Sequence, residues 1–367
     1  MWVGFVAYLG AIAATPRLGR RVVWGAIAVA VGGFAVAPVL LSHDVYSYVD
    51  YARLGVVHGL DPYVHPPAAA PGDPAFAEVT WPDTTSAYGP LFTLATYLLA
   101  WLPVETAVAV LKAVAAASVL GLAALVARLA PSRGVDPLRA AAFIALNPLV
   151  LVHVVGGAHN DGLAMLLAMT GVAAILAARE LSGGAALVGA AAVKASTLVL
   201  LPFAFLAASQ PPMALKRAYI SRFKPIGGLF LGAGLALMAI GVAAYAAFGW
   251  NWLDAIGLAG ENQSRTSYMS IPITFARLTG LDPDPVRIAA LVFYAVLVAY
   301  LLAWTWRGGD WLRATAWASF GLLLATSWLL PWYLIWPLPL AALSRDSRLQ
   351  FLVLAFTAFQ LGVRIPL

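Results

Sequence analysis

Apolar runs recur from one end of this chain to the other. They fall near residues 2–15, 22–41, 88–102, 105–128, 139–155, 161–179, 183–208, 226–248, 286–306, 314–330, 331–343 and 350–363. No other feature constrains the fold as strongly. About twenty predominantly apolar residues cross a bilayer as a helix. Lipid offers no partner to a free N–H or C=O, so each segment must satisfy its own backbone. Of the 367 residues, 62% are hydrophobic and 10% are charged, against roughly 25% charged in a soluble domain. Too few polar side chains remain to cover a water-facing surface. The expected fold class is all-α: a polytopic transmembrane helical bundle of about 10–12 membrane segments, some of them short re-entrant helices. With no short-period repeat and no low-complexity linker, residues 1–367 read as a single integral membrane domain. The opening MWVGFVAYLGAIAAT lacks a basic stretch before it. It reads as a short or clipped span rather than a cleaved signal.

The chain has no cysteine, which removes disulfides, thiolate chemistry and Cys-based metal sites. Its net charge of +6 fits basic cytoplasmic loops, and no basic run with interleaved aromatics suggests a nucleic-acid partner. Five basic clusters set the orientation: Arg17, Arg20 and Arg21; Arg128, Arg133 and Arg139; Lys216, Arg217, Arg222 and Lys224; Arg307 and Arg313; Arg345 and Arg348. Placing all five inside requires 88–102 to dip without crossing and 183–208 to form a hairpin, interrupted at Lys194 and Pro202. Three polar segments then share the outer face: a first loop at 42–87, the GGAHND turn at 156–161 and a second loop at 249–285. The PWYLIW turn at 331–336 joins them.

In the first loop, SHDVYSYVDYARLGVVHGLDPYVHPP delivers an apolar span directly into Asp, His and Tyr. Asp44 stands at the span's end with His43, Tyr46, Tyr48 and Asp50 around it. A carboxylate at a membrane face is partly desolvated, which raises its pKa toward the range of a general base. The competing reading is a solvated helix end, and for the tyrosines an interfacial belt. In GGAHND, Asn160 and Asp161 are natural helix caps. One cap does not need both, and the start of the 161–179 helix makes a local anion site, so His159 is expected on an anionic or sugar ligand, with Asp161 orienting it or acting as a second carboxylate. Lys194 lies in an apolar run, where an unpaired ammonium is costly. It either snorkels or makes a structural or lipid-phosphate contact. Arg265 can fork onto a phosphate or remain a solvated loop residue. Trp332, Tyr333 and Trp336 are a belt or a sugar platform. A metal held by His159, Asp161 and Asp44 stays a minor alternative.

Two stretches, HDVYSYVDYARLGVVHGLDPY and WPDTTSAYGPL at 81–91, resemble the first extracytoplasmic loop of bacterial GT-C glycosyltransferases. The similarity is greatest to polyprenol-phosphate-mannose-dependent α-mannosyltransferases of the MptA/MptB type, and more broadly to glycosyltransferase family 87. Asp44–Tyr48, Gly59–Tyr63 and Tyr88–Pro90 match family motifs, although Ala87 stands where a Pro is common. NPLVLVHVVGGAHNDGLAMLLAM, VKASTLVLLP and LLPWYLIWPLP continue the likeness from about residue 40 to about residue 340. The family commonly has more spans before the Asp motif than this chain provides.

The resemblance implies a GT-C fold and an enzyme of the plasma membrane with its active site outside. Such an enzyme passes mannose from a polyprenyl phosphate to a glycan or glycolipid hydroxyl, without a cofactor. The phosphate leaves as a stable anion and needs positive charge and donors, while the acceptor hydroxyl needs one base. Asp44 takes that role. His43, Tyr46, Tyr48, Tyr63, Tyr88, His159, Asn160, Asp161, Lys194, Arg265, Trp332 and Tyr333 are the substrate-binding candidates. Two alternatives stay open: another lipid-linked sugar, arabinofuranose or glucose, and a transporter or flippase. The latter predicts inverted repeats and mid-span charges. No convincing repeat is visible, and Lys112 and Lys194 are the main intramembrane charges.

Overall fold

The computed structural model describes residues 2–209 and 227–363, where the chain is helical and, among the described residues, without a strand. The helices are α1 (Trp2–Ala14), α2 (Arg20–Val36), α3 (Asp44–Val56), α4 (Pro90–Tyr97), α5 (Val104–Leu129), α6 (Pro137–Ala145), α7 (Asp161–Leu176), α8 (Glu180–Val193), α9 (Leu200–Ser209), α10 (Gly227–Phe248), α11 (Asp254–Glu261), α12 (Ile271–Thr279), α13 (Pro283–Trp306), α14 (Trp311–Ala325), α15 (Leu338–Leu343) and α16 (Ser347–Gly362). A π-helical turn at Val150–Val155 precedes α7.

Local chemistry sets the ends. Ala37 is extended, with ψ 158°, as a residue before proline prefers, and Pro38 has no N–H to continue the helix. α2 therefore stops at Val36, short of the apolar run's end at 41. Asp136, Ser270, Asp282, Asp310 and Asp346 cap α6, α12, α13, α14 and α16 with side-chain oxygens, each satisfying N–H groups the first turn leaves open.

Among the described residues, three helices are long and apolar enough to cross a membrane alone: α5 with its extension to Arg133, α10 and α13. The other apolar runs fold as shorter helices. α4, expected to dip without crossing, has eight residues, about 12 Å of helix against a 30 Å hydrocarbon core. Only 17% of the apolar window of α10 and 6% of that of α13 is buried. Their side chains point outward, as lipid-facing helices require.

The expected break in 183–208 is present. α8 ends at Lys194, whose backbone is extended (φ −152°, ψ 121°), and a 3-10 turn at Ala195–Val199 leads into α9. Pro202 falls in the first turn of α9, where its missing N–H costs nothing.

Four of the five basic loops meet. Arg133 pairs with Asp310 and Arg313 with Asp346 at 2.7 Å. Arg345 lies beside Gly134. Arg20 and Arg128 line one recess with Trp24. The loop of Lys216, Arg217, Arg222 and Lys224 lies outside the described residues. α5 fixes the distance from this basic end to the site. Its first turns pack on Val45 and Tyr48 of α3, and its last turn carries Arg128. Its 26 residues give about 39 Å at 1.5 Å each. In the third turn of α5, Lys112 donates to the carbonyls of Ala37 and Pro38. That intramembrane charge is spent on acceptors that the end of α2 leaves open.

Candidate functional site

The polar segments converge on one cavity of about 770 Å³, lined from α3, the 80–88 loop, the 194–199 turn, residues 262–265 and the 326–336 segment. The size suits a small-molecule or lipid-headgroup ligand. Leu41, held at φ 65°, turns the chain out of α2 so that Asp44 becomes the first residue of α3. The helix N-terminus favours the anion there.

Of the residues expected at the site, His43, Asp44, Tyr88, Lys194, Arg265, Trp332 and Tyr333 line the cavity. Tyr46, Tyr48, Tyr63, His159, Asn160 and Asp161 stand outside its lining. Tyr46 faces the His43 ring at 5.4 Å. Tyr48 is buried edge-on against Tyr88 at 4.7 Å and Phe92 at 5.0 Å. The Tyr63 hydroxyl donates to the Tyr88 carbonyl at 2.8 Å, and its ring meets Phe248 of α10. Asn160 occupies the N-cap of α7 without a capping bond from its side chain.

Asp161 is fully buried. One oxygen accepts from Lys194 Nζ at 2.7 Å and the other from Trp336 Nε1 at 2.7 Å. The ion pair means that neither charge is buried unpaired, and with Trp336 it ties three distant segments together. Lys194 also lies 5.2 Å from the Tyr333 ring centre, and Tyr333 stacks on Trp336 at 4.2 Å. Among the described residues, no group of three His, Asp or Glu side chains is placed to hold a metal ion.

Asp44 keeps 14% of its side chain exposed and faces His159 Nε2 at 3.5 Å. Here the electrostatics depart from the sequence expectation of a raised pKa. Burial does push the carboxyl up, but His159, the Lys194 charge and the Trp81 indole outweigh it and hold it below the usual carboxylate range. Asp44 is therefore an anion at neutral pH. Six residues along α3, Asp50 shows the opposite balance. It is 1% exposed, and neither oxygen has a hydrogen-bond partner. Burial and the nearby Asp73 charge push it up to about 7, against the pull of His58 and Arg53.

With this geometry in view, similarity to known proteins is informative. The family model described as "Alpha-(1->6)-mannopyranosyltransferase, N-terminal domain", of the MptA/MptB family, matches residues 1–210. "Alpha-(1->6)-mannopyranosyltransferase A" of Mycobacterium tuberculosis is 30% identical over 381 residues, covering 95% of this chain and 71% of that protein. The chain belongs to this family. It is accordingly a membrane glycosyltransferase. A protein of the same name from Corynebacterium glutamicum is 31% identical over 169 residues, covering 45% of this chain and 34% of that protein.

In this family member the structure also brings in residues not singled out from the sequence. Trp81 and Trp328 meet edge to face at 6.1 Å, with the Arg265 guanidinium 5.3 Å from one ring and 5.8 Å from the other. The Ser327 N–H donates to Gln263 Oε1 at 3.0 Å, pinning the second loop to the segment before Pro331. The only signal for Trp81 was its place in WPDTTSAYGPL. Trp328 was hidden because an aromatic at a membrane boundary reads first as a belt residue.

Proposed function

We propose that this protein transfers mannose from a polyprenyl-phosphate donor to an acceptor hydroxyl, with inversion, at an active site on the extracytoplasmic face of a bacterial plasma membrane. The acceptor is an envelope glycan or glycolipid, and residues 1–367 act as one domain without a cofactor. Asp44 is the base. The observation that carries this reading is an ionised Asp44 at the wall of a cavity whose other walls hold the cations Lys194 and Arg265. The acceptor oxygen loses its proton on the Asp44 side. The leaving phosphate, which needs no acid, is met by positive charge.

Arg265 has no carboxylate partner among the described residues and keeps its fork for phosphate oxygens. Lys194 spends one of its three donors on Asp161. Trp332, Tyr333 and Tyr88 offer flat faces for a sugar ring. Gathering four basic loops at the far end of α5 supports the orientation, since such loops stay inside.

The test is sugar transfer in reconstituted vesicles. Labelled polyprenyl-phosphate-mannose and a short α-mannoside acceptor are offered to wild type and Asp44→Asn. Transfer is expected from wild type and a loss of about 10²–10⁴-fold in the variant. Equal transfer by both would remove Asp44 from the mechanism. No transfer by either would return the donor and acceptor to question.

A further inference from the structure

His159 is locked in one orientation. Its Nδ1 lies 2.7 Å from the carbonyl oxygen of His153. A carbonyl only accepts, so Nδ1 carries a hydrogen. In the neutral ring Nε2 is then a bare lone pair. That atom is buried without a hydrogen-bond partner, and the group it faces is Asp44 Oδ2 at 3.5 Å. Two acceptors confront one another with room for one proton to draw them together. Trp332 stacks on the ring at 3.7 Å. Gly157 closes the other side: a Cβ there would lie 2.9 Å from His159 Cε1 and Nδ1 and 2.7 Å from the His153 oxygen.

We propose that Asp44 and His159 work as one base, in which Asp44 removes the acceptor's proton and His159 Nε2 takes it over. The inference rests on the transferase reading above. The acceptor oxygen bonds to the anomeric carbon. The bond from that carbon to the phosphate oxygen breaks, and its electron pair leaves with the lipid phosphate. The hydroxyl proton passes through Asp44 to Nε2, and the imidazolium so formed keeps its Nδ1–H on the His153 carbonyl. The proton returns to water when product leaves. His159 does not line the cavity, so it is a positioning residue that acts through Asp44.

The other groups around the pair are engaged elsewhere or stay neutral. Lys194 is tied to Asp161. Burial pushes the hydroxyls of Tyr48, Tyr51, Tyr88 and Tyr333 far up, with the Asp44 charge adding to it. His43 sits at the rim, 3.5 Å from Glu78.

The experiment is kcat/KM for mannosyl transfer by wild type, His159→Gln and His159→Lys in the same vesicles. Gln keeps polar contacts but cannot take a proton. The variant is expected to be about 10–100-fold slower at its optimum with donor KM unchanged. His159→Lys, which keeps a positive charge beside Asp44 but offers no lone pair, is expected to be as slow. A Lys variant at the wild-type rate would mean that His159 serves only as a cation beside Asp44, and an unchanged rate in the Gln variant would mean a structural role. Either overturns the proposal. A second measurement needs no activity: ¹⁵N-histidine NMR of the reconstituted protein, with His159 assigned by its loss in the Gln variant. The neutral Nδ1–H tautomer is expected at neutral pH. The Nε2–H tautomer overturns the proposal. A wild type that transfers no mannose would sink the transferase reading, while the spectrum still judges the pair.

Discussion

At the residue scale, two carboxylates on one short helix are driven in opposite directions by their neighbours. Asp50 has no hydrogen bond to lose, and its carboxyl is raised to about 7. A carboxyl raised in the fold binds its proton more tightly there than in the unfolded chain, so stability falls as pH rises from about 4 to 7. Asp50→Asn is therefore expected to raise the thermal midpoint at pH 8, by a stabilisation of roughly 1–3 kcal/mol, and to change little near pH 4. Melts at the two pH values check this. Asp73 is the reverse case. Although burial pushes it up, Arg53 at 2.8 Å, the Ala75 N–H and His58 at 2.7 Å hold its carboxyl down. Its stabilising share is present above the unfolded pKa and is lost as pH falls through the lower, folded value. Asp73→Asn should destabilise at pH 7 and converge with wild type in strong acid, a difference that limited proteolysis of the 57–89 loop would detect. Gly157→Ala should cost activity at least tenfold, since the added methyl enters the contact between His159 and the His153 carbonyl.

At the element scale, glycine decides how closely helices approach. A Cβ at Gly184 would collide with the Leu229 carbonyl, and one at Gly232 with that of Leu181. The backbones of α8 and α10 therefore touch, as small residues permit between membrane helices. Gly184→Val is expected to push them apart and lower the thermal midpoint in detergent by several degrees. Gly89→Ala should harm activity more than stability. Its methyl would strike the Ala192 carbonyl, moving Tyr88 away from the end of α8 and Lys194. Elements of this kind were legible in part. The all-helical class, the break at Lys194 and the polar segments around Asp44 follow from hydropathy and residue type. The direction of the Asp44 shift did not, because it depends on His159 and Lys194, 115 and 150 positions further along the chain. Nor did the ends of most helices, since an apolar run records burial and not length of helix. Asp161 read as a cap because a local rule saw only its neighbours, whereas its oxygens go to Lys194 and Trp336.

At the scale of the whole molecule, the cavity and the gathered basic loops lie at opposite ends of α5. A chain without cysteine allows this to be read directly. Under the proposed orientation, Asp83→Cys should react with an impermeant maleimide in intact cells, whereas Ser132→Cys should react only after permeabilisation. The reverse labelling would invert the orientation and move the active site inside. The bond from Trp336 to Asp161 joins residues 175 positions apart, and the cavity walls run from Leu41 to Trp336. No early portion of the chain can assemble them. As helices enter the membrane in order of synthesis, Asp44 waits beside a half-built pocket until the segment carrying Trp332, Tyr333 and Trp336 arrives. Biogenesis thus carries its own safeguard: a nascent or truncated chain that stops before this segment can insert but has no complete cavity in which to act.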